Sequence, residues 1–477
     1  MRFLIFLILG LVFFTACEDR GYGTQDVSTV KSVLSTDKVT ILSSAPKSYI
    51  AQSSYINIEF SSHMDINSFF SSSIILKEKE SEIEVDLEWD IVQNRLHVMP
   101  QESLVPNRTY RLLVAASLKD IFGNSMLKSY EVEFLCVESF WQSVELGETH
   151  SMALSLDGDI YTWGSNEYGQ LLSNDTRNRS IPFGVLNISD AKNYSAGLLT
   201  SAVIKDDSTL VGAGINALMI NADDDFKMLS IGNNHSVVIK NDGTLWSWGA
   251  NSNGQIGNKG IFKQPSLTQE HSKDDNWTTA SASNSFTIAL KNDGTMWGWG
   301  NNEFGQIGNA RYKERRVPVQ EDTNASDWKI ISAGSSHSVA IKEDGTLWSW
   351  GKNDSGELGD GTNDSSVVQT QEATASSWSS VSAGYNHTVA IKEDGTLWAW
   401  GDNYYGQVGD DTTQNTNTPL QIGLDTGDAT WTSVSAGNKF SAATKSDGTL
   451  WVWGYNAHEQ LGLGSDGSDK LKPTELK

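Results

Sequence analysis

The string "IKEDGTLWAWGDNYYGQVGD" at residues 391–410 returns with small changes along most of the chain. Taking Gly158, Ser208, Gly243, Gly294, Gly345, Gly395 and Gly448 as turn residues, the successive intervals are 50, 35, 51, 51, 50 and 53 residues. A period of this length means that each copy is one supersecondary unit that cannot bury its apolar face alone. Each copy opens on a run such as "WSSVSAG" (378–384), turns at "YN", continues through "HTVAIK" to an Asp-Gly turn and proceeds to "TLWAWG". Asp-Gly between apolar runs predicts a two-residue type I′ hairpin turn, because both residues tolerate positive φ. Trp398 and Trp400 stand at i and i+2, so both indoles lie on one face of their strand. A small sheet paved with tryptophan on one face must press that face on the next copy, which predicts the blades of a β-propeller. Sixteen of the 17 tryptophans lie in this repeated region and are read as structural.

The second unit departs from the pattern. Val211 and Ala213 stand where the tryptophans are expected, and Ser208 takes the turn glycine's place. That blade is expected to be more loosely packed, or covered by another part of the chain such as the domain before the repeats.

Residues 39–136 change character. "YINIEF" (55–60) and "YEVEF" (130–134) alternate apolar and polar residues, and further β-rich runs lie between them, which predicts a β-sandwich. Residues 17–38 are polar and without a period, as suits a tether. Residues 1–16 hold an apolar run behind a single Arg, too short and too close to the start for a membrane span, and read as a secretory signal. Phe14, Thr15, Ala16 and Cys17 resemble a bacterial lipobox, which implies cleavage before Cys17 and acylation of its thiol. Cys136 is then the one other cysteine, so no intramolecular disulfide is available.

The net charge of −24 opposes binding to a phosphate backbone, and the densest basic run, "RYKERR" at 311–316, sits in one loop. Nucleic acid is not an expected partner. His150, His235, His337 and His387 recur at one position and invite a metal reading. Thr200, Phe286 and Phe440 fill that position elsewhere, and no carboxylate or cysteine recurs beside it, so the histidines are read as hydrogen-bonded structural residues. "DSG" (354–356) and "DTG" (425–427) each resemble half of an aspartic-protease site, but one belongs to a repeat loop and the other to a linker. No catalytic residue, metal or cofactor is assigned. The recurring aspartates Asp157, Asp207, Asp242, Asp293, Asp344, Asp394 and Asp447 are explained by turn chemistry.

In an antiparallel meander the "G-x-x-H" turn and the "N-x-x-G-Q" loop share one end of the strands, and the Asp-Gly turns occupy the other. On the first face the positions that vary between copies include Tyr168, Phe304, Tyr385, Tyr404, Tyr405 and His458, which are the expected ligand-binding residues.

The pattern "VSAGxxHTVAIKEDGTLWAWGxNxxGQVG" resembles the repeat of the regulator of chromosome condensation family, over residues 137–477. The resemblance implies a seven-bladed β-propeller. The family includes a nuclear guanine-nucleotide exchange factor, a plant ultraviolet photoreceptor and a secreted inhibitor of β-lactamases, so it implies a fold more than a function. "LVPNRTYRLLVAASLKDIFGNSM", with "IEFSSHMD" upstream, resembles bacterial Ig-like domains, which implies a spacer at 39–136. The expectation is an all-β chain: an Ig-like β-sandwich followed by a seven-bladed β-propeller. It is expected to be a monomeric, non-enzymatic binding protein, anchored by lipid at the bacterial cell envelope in the outer membrane or at the cell surface. Its loop face would capture a protein or glycan ligand. An enzyme or enzyme inhibitor working through the propeller face or central channel is the alternative. A binder should present an aromatic patch; an enzyme should present carboxylates or histidines of shifted pKa at the channel mouth.

Overall fold

A computed structural model describes residues 48–476 apart from several short stretches, the longest being 216–224. The signal segment, the tether and Cys17 lie outside the described residues, as does the side chain of Cys136. Contacts divide the chain into two compact units, the second of which runs Phe140–Leu476.

The described strands of the first unit form two sheets. One holds five strands in the order Ser48–Ala51, Tyr130–Val137, Thr109–Val114, Ile74–Glu78 and Ser81–Ile83. The other holds three, Ile56–Glu59, Arg95–Pro100 and Val85–Asp90. Ile58, Leu76, Leu96, Val98, Leu112 and Val114 are buried in one cluster, with Phe60, Phe69 and Trp89 packed ring against ring. Two-residue alternation along Thr109–Val114, with Tyr110, Leu112 and Val114 buried, is what puts one face of that strand in the core.

Among the described residues the second unit contains seven antiparallel sheets, six of four strands and one of three. The sixth is representative: Trp378–Ala383, His387–Lys392, Leu397–Gly401 and Thr416–Ile422 run from centre to rim. The fourth strand is polar and lacks alternation, and it was not among the elements expected from the repeat. The second sheet has three strands among the described residues, ending at Leu210–Gly214, and Val211 and Ala213 there are only partly buried.

Successive sheets press face to face. Trp378, Val381 and Trp400 of the sixth sheet cover Val339, Ile341 and Leu347 of the fifth. Trp141, Tyr161 and Trp163 of the first cover Phe440, Leu450, Val452 and Leu461 of the last. A ring of innermost residues closes the circle. A Cβ added at Gly147 would strike the carbonyl of Gly197, one at Gly197 that of Gly232, and one at Gly232 that of Ser283. Ser283 Oγ donates to the Gly334 carbonyl at 2.5 Å. The clashes resume from Gly334 to Gly384, Gly384 to Gly437 and Gly437 back to Gly147. At six of the seven places the strands sit too close around the axis for a side chain, and the seventh admits only the small hydroxymethyl of Ser283.

The two tryptophans of a repeat serve different purposes. Trp163, Trp299, Trp350, Trp400 and Trp453 are fully buried. Their indole N–H groups donate at 2.8–3.0 Å to the carbonyl of Gln460, Gln255, Gln306, Glu357 and Gln407 in the preceding sheet. Trp246, Trp297, Trp348, Trp398 and Trp451 are half-buried and donate within their own repeat to the threonine just before the strand, Thr244, Thr295, Thr346, Thr396 and Thr449. A lysine at the end of the second strand adds a cation–π sandwich: Lys392 Nζ lies 3.6 Å from the Trp398 ring centroid and 4.9 Å from that of Trp378.

The Asp-Gly turns differ from the expectation. Gly243, Gly294, Gly345, Gly395 and Gly448 take positive φ of 77–84°, but the aspartates before them do not. Gly243 N–H donates to Lys240 O and Lys240 N–H to Thr244 O, a three-residue loop closed by a left-handed glycine instead of a type I′ turn. The aspartate is kept for another reason. Asp242 Oδ1 accepts from the backbone and hydroxyl of Thr244, at 2.9 and 2.6 Å, and that hydroxyl in turn holds Trp246.

Candidate functional site

The first turn and the third-strand loop share one face in all seven sheets. Ser165, Ile215, Ala250, Asn301, Lys352, Asp402 and Tyr455 donate from the backbone to Thr149, Leu199, Asn234, Ser285, Ser336, Asn386 and Lys439 of their own first turns. The Asp-Gly turns lie at the opposite ends, where Trp277 N–H meets Gly243 O and Trp378 N–H meets Gly345 O.

The "N-x-x-G-Q" signature locks the loop. Asn403 Oδ1 accepts the N–H of Val408, and Gln407 Oε1 accepts the N–H of Tyr405, both at 2.9 Å. Equivalent bonds fix Tyr168, Phe304 and His458 onto Gln170, Gln306 and Gln460. These side chains project from one structurally equivalent position on a rigid backbone, which lowers the entropy lost when a ligand settles on them.

The structure brings three of the six expected residues together. Tyr404 and Tyr405 meet edge to face at 4.9 Å, Tyr405 meets Tyr455 at 4.8 Å, and Tyr455 meets His458 at 6.1 Å. Lys439 Nζ stands 4.8 Å from the Tyr405 ring and 5.6 Å from that of Tyr455. Tyr404 is 71% exposed. Tyr385 is exposed at the channel mouth, while Tyr168 and Phe304 take the equivalent loop position in the first and fourth sheets. Tyr455 and Lys439 were missed by sequence reasoning. Their signal was present, since both vary between copies in the loops already singled out.

Beside this cluster opens the central channel, a cavity of about 150 Å³ lined by the innermost strands. Six of its walls carry a serine at one level: Ser195, Ser230, Ser281, Ser332, Ser382 and Ser435. Each accepts a backbone N–H from the next sheet, those of Ile231, Ala282, Ala333, Ala383, Ala436 and Leu146 for Ser195, Ser230, Ser281, Ser332, Ser382 and Ser435, at 2.9–3.0 Å. The first sheet has Glu145 at this level, and desolvation raises its carboxyl to about 7. Glu148 at the mouth is also raised by desolvation, against the lowering effects of Asn438, Lys439 and His458. Aromatic patch and shifted carboxylates therefore occur side by side.

The remaining motifs are structural in their contacts. His150, His235, His337 and His387 are buried, with Nε2 bonded to Ser201, Thr287, Thr388 and Ser441 of the following sheet at 2.7–3.2 Å. Asp354 of "DSG" pairs with Lys352 at 3.3 Å and Asp425 of "DTG" with Lys472 at 3.2 Å.

Glu357 replaces the loop glutamine in the fifth sheet. It is fully buried, its Oε2 accepts the N–H of Ser355, and desolvation raises its carboxyl to about 7. Below pH 4.5 it is protonated in both folded and unfolded chains. As pH rises to about 7 the unfolded chain ionises and the folded one resists, so stability is lost across that window. Glu357→Gln is therefore expected to change little at pH 4 and to stabilise the protein by up to about 3 kcal/mol at pH 8. Urea unfolding at the two pH values measures this; an equal effect at both would rule it out.

Residues 217–477 match the RCC1-like domain family, and residues 141–170 and 157–202 match the regulator of chromosome condensation (RCC1) repeat. Residues 35–135 match the bacterial Ig-like domain. The chain is 28% identical over 243 residues to the ultraviolet-B receptor UVR8 of Arabidopsis thaliana, covering 46% of this chain and 55% of the receptor. It is 27% identical over 229 residues to the human E3 ubiquitin-protein ligase HERC2, covering 46% of this chain and 4% of the ligase. The chain thus spans about half, or far less, of these relatives' lengths. Among solved structures, human WBSCR16 superimposes with a TM-score of 0.51 at 18% identity, over 74% of this chain and 85% of that one. Yeast RCC1 (Prp20), solved with Kap60 bound, gives 0.50 at 20% identity, over 71% and 75%. At these identities the structures speak to fold alone.

Proposed function

The chain belongs to the RCC1-like domain family, and from that premise we propose that its propeller is a protein-binding module that captures its ligand on the loop face of the sixth and seventh sheets. The observation that carries this reading is the solvent-facing cluster of Tyr404, Tyr405, Tyr455 and His458 on locked loops. Aromatic side chains with few rotatable bonds supply contact area at low entropic cost, and they are the anchors on which interface energy concentrates. The Ig-like unit serves as a spacer, and acylation of Cys17 holds the protein at a bacterial envelope surface, outside the cytoplasm. The protein works as a monomer without catalysis or cofactor, and a glycan is the other ligand this face would suit.

Catalysis in the channel is the competing reading, and the raised carboxyls of Glu145 and Glu148 are what favour it. Against it, the hydroxyls at the level of Glu145 already accept backbone N–H groups, and the four histidines are committed to inter-sheet bonds.

The test is capture from envelope and host-cell extracts with residues 18–477 as bait. Tyr404→Ala with Tyr405→Ala should reduce capture at least tenfold. Tyr404→Ala alone should leave unfolding free energy within about 0.5 kcal/mol of the parent, because its ring is mostly in solvent. Undiminished capture by the double variant would overturn the assignment.

A further inference from the structure

The first sheet breaks a rule that the other six obey. At the serine level of the channel, six hydroxyls stitch one sheet to the next by accepting a backbone N–H. Glu145 stands at the seventh place and forms no hydrogen bond or ion pair with the described residues, so that junction forgoes the bond and places an acid in the wall. Such a departure without structural gain marks a functional position. Glu148, at the mouth, has company of its own in Asn438, Lys439 and His458. Glu145, deeper in, has the phenol of Tyr194 as its electrostatic neighbour and no basic group acting on it among the described residues.

With the Glu145 carboxylate beside them, those hydroxyls suit a cation that donates hydrogen bonds. Each serine oxygen has accepted one hydrogen bond and retains a second lone pair. A ring of such oxygens with a single carboxylate offers acceptors in several directions and one negative charge. A cavity of about 150 Å³ has room for the end of an alkyl chain and its ammonium. The net charge of −24 would draw a cation toward it.

We propose that the channel is a primary-ammonium site: a lysine side chain of the protein captured on the loop face enters the channel and pairs with Glu145, its other N–H groups donating to the serine oxygens. This rests on the reading of the loop face as the binding face, since Tyr385 and Glu148 line the mouth and Glu148 has Lys439 and His458 of the aromatic cluster as electrostatic neighbours. The site is charge-matched to the ammonium and discriminates against quaternary nitrogen, which has no N–H to offer the serine oxygens.

The experiment follows the thermal unfolding midpoint of the chain at constant ionic strength with three probes: n-butylammonium, Nα-acetyl-lysine amide and tetramethylammonium. Butylammonium and the lysine derivative should raise the midpoint in a saturable manner, and tetramethylammonium should not. Glu145→Ser supplies the residue of the other six sheets. It should fold with a higher midpoint than the parent in the absence of amine, having gained the seventh stitch, and its response to butylammonium should be weakened at least tenfold. Glu145→Gln should lose the response equally. Equal action by tetramethylammonium, or an undiminished response in Glu145→Ser, overturns the site; a response to butylammonium but not to the lysine derivative overturns the partner's side chain as occupant. Tyr404→Ala with Tyr405→Ala should still respond to butylammonium. A parent chain that ignores both amines yet loses capture in the tyrosine variant would overturn the channel site while leaving the loop face intact.

Discussion

Trp400→Ala is expected to destabilise the propeller by about 3–5 kcal/mol, and Trp398→Ala by no more than about 2 kcal/mol, although the two stand two residues apart on one face. Trp400 is fully buried, meets Trp378 at 5.8 Å, seats on Val339, Ile341 and Leu347 of the preceding sheet, and donates to Glu357 O at 3.0 Å. Its removal opens a cavity at the junction and takes away one of the two donors of the Glu357 carbonyl, leaving the Thr388 hydroxyl as the other. Trp398 is partly in solvent, and its bonds run within its own sheet, to Thr396 and to the ammonium of Lys392. What it loses is a half-exposed cation–π contact and some area. Equilibrium unfolding in urea separates the two cases. Equal costs would mean that junctions are not where the stability lies.

Acid should unfold the protein through its histidines. Thr287, Thr388 and Ser441 each donate their one hydrogen to a loop carbonyl, of Gln255, Glu357 and Gln407 respectively. They must therefore accept from His235, His337 and His387, which puts the proton on Nε2 and leaves Nδ1 bare, buried and without a partner. Protonation there would bury an uncompensated charge, so desolvation lowers the four histidines to about 4 for His150 and about 3 for the others. Above pH 6.5 they are neutral in both states and add no pH dependence. Below it the unfolded chain binds protons that the folded chain refuses, and stability falls by roughly 1.4 kcal/mol per unit for each, about 5 for four. Glu145 and Glu357, raised to about 7, act in the opposite sense down to pH 4.5 and halve that slope. Stability should thus decline moderately from pH 6.5 to 4.5 and steeply beneath. His337→Phe borrows the residue found at 286 and 440 and should reduce the slope by about 1.4 kcal/mol per unit. An unchanged slope in urea titrations from pH 7 to 4 would count against the account.

The repeat, the paired tryptophans and the shared loop face could all be read from the residues, because each depends on strand geometry that acts over a few positions. What could not be read depends on partners far along the chain. The fourth strand, such as Gln264–Gln269, is an edge with little apolar pattern, and only its neighbour makes it a strand. The aspartates were read as turn formers, whereas Asp242 works through Thr244 to steer Trp246. Tyr404, Tyr405 and His458 converge because their sheets are consecutive, and Tyr455 and Lys439 complete the cluster from positions that composition alone does not distinguish. Glu145 stood in plain view at a serine column, but its oddity has meaning only once the column's hydrogen bonds are known.

Each sheet of the circle is assembled from its own uninterrupted segment of chain, the last from Trp431–Ala436 through Lys470–Glu475. Among the described residues no strand is lent across the gap between the first and last sheets. The bracelet has no clasp, and its seam is built like every other joint. Cutting the polypeptide in another linker and fusing the present ends should leave a molecule of the same shape, and duplication or loss of a whole module would alter the circumference without requiring any strand to find a new neighbour. Such a scaffold can change its number of parts as freely as the residues on its loops.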